Sequence, residues 1–132
     1  MRPPGRGLKA TLVVAVVVAG CDAGSPTPDE LARGAELYQA HCVACHGGPT
    51  GGSISDIPPR HNAEGHTWHH ADCDLVDIVN DGLPPRDGYP VMPAFGEQLT
   101  EEEVGLILEH LKAWWEPDQR EFQAQVTDEV CG

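Results

Sequence analysis

Cys42-Val43-Ala44-Cys45-His46 sets two thiols three positions apart with an imidazole directly after them. The chemistry this spacing permits is covalent capture of a haem. Each sulfur can add to one vinyl group of the same haem, and His46 then emerges where its ring can ligate the iron from one face. Zinc is the competing reading, because cysteine and histidine are also zinc ligands. A structural zinc site needs a fourth ligand, however, and the adjacent Cys45 and His46 are awkward around a tetrahedron. The motif therefore predicts one covalent haem c, held by Cys42 and Cys45, with His46 as an axial iron ligand.

The start of the chain predicts export, which such attachment requires. Arg2, Arg6 and Lys9 precede an apolar run over residues 10–20 that is too short to span a bilayer comfortably. The run ends Val18-Ala19-Gly20-Cys21, which resembles the lipobox of bacterial lipoproteins, with Cys21 acylated as the mature N-terminus. An ordinary secretory signal is the alternative. Asp22 follows directly and resembles the signal for retention on the inner membrane, which places the domain on the periplasmic face. Of five cysteines, Cys21 then goes to lipid and Cys42 and Cys45 to haem. Cys73 and Cys131 remain as a pair for a disulfide in an oxidising compartment.

Two further groups of residues could touch a metal. Met92 is the only methionine after the leader and is flanked by Pro90 and Pro93 in a stiff, polar stretch. Methionine usually fills gaps in a core, but these surroundings suit a ligand loop, so Met92 is the candidate second axial ligand. His61, His66, His69, His70 and Cys73 fall within a short span and invite a copper or zinc site. Against that, His66 and His69 would face haem propionates, the other histidines would be solvated, and Cys73 would be in the disulfide.

The elements that must position these residues read as helices and loops. Residues 1–20 are the leader and 21–28 a lipid-anchored spacer; 29–132 form one domain, with a tail from about 117. Thr27-Pro28-Asp29-Glu30 is a helix start, with Thr27 as N-cap and Glu30 closing a capping box. Leu31, Ala35, Leu37 and Tyr38 then give an apolar stripe leading into Cys42, and Gly47 and Gly48 stop that helix. A second helix spans about 72–80. Thr100-Glu101-Glu102-Glu103 opens a third, with Val104, Ile107, Leu108, Leu111, Trp114 and Trp115 on or near one face. Pro117 ends it, and a short polar helix follows to about Val126. Residues 47–66 and the proline-rich 83–98 read as irregular loops.

Taken together, these residues resemble a class I cytochrome c. The resemblance rests on Gly34-x-x-x-Tyr38, Cys42-x-x-Cys45-His46, Pro58-Pro59, Gly65-His66-Thr67-Trp68, Met92-Pro93-Ala94-Phe95 and the amphipathic last helix, in the family's order over about 28–116. It implies an all-α fold, three to five helices around one covalently attached haem. It also implies contact between first and last helices near Gly34, Tyr38, Leu111 and Trp114. By the same resemblance a carbonyl of Pro58 or Pro59 accepts the bond from the free imidazole nitrogen of His46, Trp68 donates to a haem propionate, and Met92 completes the iron's coordination. His/Met ligation fills both axial positions and raises the potential, so the implied role is electron transfer and not catalysis.

Charge narrows the partners. The full chain has a formal charge of −13, with all 21 acidic residues after Cys21 but three of the eight basic ones before it, so export makes it more acidic still. That excludes nucleic acid and anionic lipid as partners. Lys112 is the only lysine after the leader, so a redox partner should offer a basic or largely apolar docking surface. The expected function is a membrane-tethered monohaem carrier of single electrons between respiratory or dehydrogenase partners. Alternatives are a fixed subunit of an oxidase or dehydrogenase complex, a small haem peroxidase, or a copper- or zinc-handling module built on the histidines. Oligomeric state is not legible from the sequence.

Overall fold

A computed structural model describes residue 1 and residues 24–50, 58–86 and 91–132 of the 132-residue chain. The leader, Cys21 and Asp22 lie outside the described residues. Helix α1 (Pro28–His41) starts as its sequence dictates: the Glu30 N–H donates to Thr27 Oγ1, and the Thr27 N–H donates back to the Glu30 carboxylate at 2.7 Å. Pro28 occupies a position whose N–H would have no partner anyway. Helix α4 (Glu101–Lys112) starts with the same reciprocal pair, Thr100 and Glu103. Such caps satisfy donors that the helix itself cannot.

Helices α1 and α4 cross to make the core. Leu37 and Tyr38 from α1 meet Val104, Ile107, Leu108 and Leu111 from α4, joined by Leu75, Leu99 and Trp115. The crossing is tight because Gly34 has no side chain: a Cβ there would run into the Leu106 carbonyl. Tyr38 meets Trp114 edge to face at 5.2 Å. The expected contact between the first helix and the amphipathic one near its residues 106–114 is present, centred on Gly34 against Leu106 and His110 of α4.

The haem motif occupies a turn of its own. Helix α1 stops at His41, Cys42 interrupts it, and α2 (Val43–His46) carries the rest to Gly47, whose φ of 74° ends it. The expected single helix from residue 28 through the motif is thus broken at its first cysteine. Helix α3 (Asp72–Asp81) follows a short 3₁₀ turn at Thr67–His69 and ends at Gly82.

The polar helix expected to about Val126 runs on to the end of the chain: α5 (Pro117–Cys131) packs on the domain. Its anchor is Gln123, 1% exposed, whose Nε2 is within bonding distance of the His70 carbonyl, Asp72 Oδ1 (2.6 Å) and Thr127 Oγ1. Lys112 bonds the other Asp72 oxygen at 2.6 Å and Glu109 at 2.8 Å, tying α3, α4 and α5 together. A disulfide joins Cys73 to Cys131 at the far end. Among the described residues there are five α-helices and no strand, only a two-residue bridge between Leu83 and Met92. No described helix is long and apolar enough to cross a membrane.

Candidate haem site

The motif turn presents Cys42 half-buried and Cys45 exposed, both as free thiols, with His46 buried between them and the core. Burial, and secondarily the neighbouring Cys45, push the Cys42 thiol up to about 11. His46 Nδ1 lies 2.8 Å from the Pro59 carbonyl. A carbonyl only accepts, so Nδ1 carries the proton and Nε2 keeps its lone pair for a metal. Burial lowers the His46 pKa, opposed by that hydrogen bond, which keeps the ring neutral, the form that ligates. Of the proline doublet, this bond engages Pro59.

Several side chains hold the chain around His46. The Tyr38 hydroxyl donates to the Gly47 carbonyl at 2.8 Å, and Asn62 Nδ2 to the Pro49 carbonyl at 3.2 Å. Trp115 Nε1 donates to the His61 carbonyl at 2.7 Å, and Gln119 Nε2 to the Ala63 carbonyl at 3.0 Å. His61 itself turns inward and stacks on His46, centroids 4.2 Å apart and planes 28° apart. Desolvation, reinforced by His46, pushes His61 down to about 3.

Met92 lies in the stretch between α3 and α4, half-exposed. Its backbone pairs with Leu83 in both directions, at 2.9 and 3.2 Å. Gly82, with φ of +69°, lets the chain close there: a Cβ would sit 2.5 Å from the Met92 carbonyl and 2.7 Å from the Ala94 nitrogen. The Phe95 N–H donates to the Val79 carbonyl, fixing the loop to α3. Cys42, Val43, Trp68, Val76, Val79, Phe95 and Trp114 are apolar, half-buried and packed against the core. Two free thiols, a neutral imidazole with one nitrogen already engaged, a thioether and an incompletely covered apolar wall are the donor set and surface that a covalent haem fits.

The Trp68 indole N–H donates to the Gly65 carbonyl at 2.9 Å within its own loop, and the ring stacks on His69 at 3.6 Å. The histidines do not gather as a second metal site. His61 belongs to the His46 side, while His66 stands 6.0 Å from His69 and 5.2 Å from His70 by ring centroids. Cys73 is in the disulfide, and among the described residues no group of three or more His, Cys, Asp or Glu converges on one point. Sequence reasoning had passed over Tyr38, Gly82 and Gln119 as holders of the site. Gly82 reads locally as a helix stop, and nothing nearby in the sequence signals its closeness to Met92.

Residues 29–111 match the family model described as cytochrome c oxidase, cbb3-type, subunit III. The chain belongs to this cytochrome c family. It is also similar to the chloroplastic cytochrome c6 of Chlamydomonas reinhardtii, 27% identical over 104 residues. That match covers 77% of this chain and 66% of the algal protein, just under two thirds of its length. No solved structure gives a significant match. The chain is thus a class I monohaem c-type cytochrome, a family with one covalent haem c.

Proposed function

We propose that this cytochrome carries its haem on Cys42 and Cys45, ligates the iron through His46 Nε2 and Met92 Sδ, and passes single electrons between respiratory or dehydrogenase partners from the periplasmic face of the inner membrane. The observation that carries the site assignment is the His46–Pro59 hydrogen bond, which assigns the tautomer that an iron-ligating histidine requires. When bound, the haem supplies a one-electron couple. The chain's own part is to hold both axial donors, keep water from one side of the site and leave an edge open. Ala44, Cys45, Pro49, Val91, Pro93 and Ala94 are exposed and uncharged around the motif turn and the Met92 loop, a patch suited to the small, transient contact of electron transfer.

Lys112 is held by Asp72 and Glu109, with 17% of its side chain exposed. No lysine ring surrounds the patch, so the partner's surface is basic or largely apolar. Anchoring is through a lipidated Cys21 after removal of residues 1–20. Stable anchoring needs more than one acyl chain.

A second reading, a fixed subunit of an oxidase complex, is favoured by the match to the cbb3-type cytochrome c oxidase subunit III family. Mass spectrometry of the intact exported protein tests anchor and haem together, with a diacylated or triacylated Cys21 and one haem as the expected mass. An unmodified N-terminus elsewhere removes the tether. A mobile carrier docking on a basic partner should slow markedly with salt, since charges are screened beyond about 10 Å at 0.1 M. Salt-independent rates, with co-purification in one complex, would favour the fixed subunit.

A further inference from the structure

His61 sits where the sequence offered it as a metal ligand, yet it points at the motif histidine. We propose that His61 is a positioning residue that sets the plane of the His46 ring, an inference that rests on His46 being the iron ligand. The Pro59 carbonyl fixes where His46 Nδ1 points. A single bond at that atom leaves the ring free to rock about the bond. A flat partner stacked 4.2 Å away removes that freedom, because rocking would drive one edge of His46 into the His61 ring.

His61 can do this because it is itself held at two points. The Thr67 hydroxyl donates to the Arg60 carbonyl at 3.3 Å, which leaves its oxygen to accept from His61 Nδ1 at 2.8 Å. The hydrogen bond therefore places the His61 proton on Nδ1 and fixes the ring's tilt. The His61 backbone carbonyl accepts the Trp115 indole N–H at 2.7 Å, and Trp115 is 3% exposed in the core. Tyr38 closes the side with its ring edge, centroids 6.2 Å apart. A leucine would fill comparable space, but it could not bond Thr67 and would present no flat face. The His46 plane is thereby tied to the end of α4 through Trp115.

The plane of an axial imidazole decides which iron d orbital meets the ligand π system. It is read in the oxidised holoprotein as the order and spread of the haem methyl proton shifts and as the spread of g-values in electron paramagnetic resonance. Three variants test the proposal: His61→Leu, His61→Phe and Thr67→Val. In His61→Leu the haem should stay covalently bound and six-coordinate, while the methyl shifts reorder and the g-spread changes. His61→Phe keeps a flat face and should lie close to the wild-type pattern. Thr67→Val loosens the tilt and should move the pattern in the leucine direction by less.

A wild-type pattern in His61→Leu overturns the proposal, as does a phenylalanine variant displaced as far as the leucine one. Should His61→Leu fail to mature, Thr67→Val decides: an unchanged pattern in a folded, haem-loaded protein refutes it. The underlying ligand reading fails separately, through His46→Ala leaving the low-spin spectrum of the holoprotein intact.

Discussion

On the His46 side, side chains from distant elements reach in to hold the backbone: Tyr38 from α1, Trp115 from beyond α4, and Gln119 from α5. On the Met92 side, the holding hydrogen bonds among the described residues are main-chain ones, from Met92 to Leu83 and from Phe95 to Val79. The first arrangement is buried and woven into the core, so it should fail only when the domain unfolds. The second is local, half-exposed and closed by one glycine, so it can open while the rest stays folded. Under the proposed ligand set, the first side would hold the haem through its histidine and the second would offer an exchangeable ligand. A redox protein is served by that asymmetry, because rigidity limits reorganisation while the partner still needs access.

The largest expected effect comes from unlatching α5, which reaches over the His46 side. Replacing both Cys73 and Cys131 by serine frees a loop of 58 positions, for which chain entropy suggests roughly 4 kcal/mol. Denaturant unfolding should show that loss, while the folded variant keeps its iron–methionine band. A variant that keeps its stability would mean α5 is held by Gln123 and its partners alone. Next is Met92→Ala, which should cost about 2 kcal/mol in packing, the low end for such a truncation. Haem should remain covalent, the weak red band of iron–sulfur bonding should vanish, and the potential should fall. An unchanged band and potential would take Met92 off the iron and dissolve the comparison.

Gly82→Ala sharpens it. The residue would be forced to hold φ near +69°, at about 1–2 kcal/mol, and its Cβ would press on the Met92–Ala94 backbone. The iron–methionine band should weaken, whereas the His46-dependent low-spin signature on ligand replacement should not change. Equal damage to both sides would show that they are not independent. The smallest effect is Thr100→Ala, which removes an N-cap worth about 1 kcal/mol and should leave both axial signatures untouched. At the same cap, the bond from the Thr100 N–H, with further help from Arg33, holds the Glu103 carboxyl below its usual 4.5. A depressed folded value means the contribution is present above the unfolded pKa and fades as pH falls through the folded one. Carboxyl NMR should therefore place the Glu103 midpoint below 4.5, and a midpoint at or above that value removes the cap's share in acid stability.

Both capping boxes, the α1 and α4 stripes and the Gly34 contact were legible because they depend on residues a few positions apart, or on one side chain's absence. The reading expected a helix after Pro117 but stopped it near Val126 and gave it no packing face, for a definite reason. Its one fully buried residue is Gln123, polar in any window of sequence and at home in the interior only because Asp72, Thr127 and the His70 carbonyl wait there. The partner of the Trp68 indole N–H was not legible either: it is a carbonyl three residues back, a choice made by loop shape and not by residue type.

What the sequence determined by itself was the chemistry: two thiols and an imidazole at a spacing that matches one haem, and a lone methionine between prolines. Which proline engages His46, where the five neighbouring His and Cys side chains go, and what holds each side were decided by tertiary structure. Covalent and coordinate chemistry needs particular atoms at short separations along the chain, and sequence states those directly. Orientation needs contacts between residues such as His61 and Trp115, 54 positions apart, and these exist only once α1, α4 and α5 have packed.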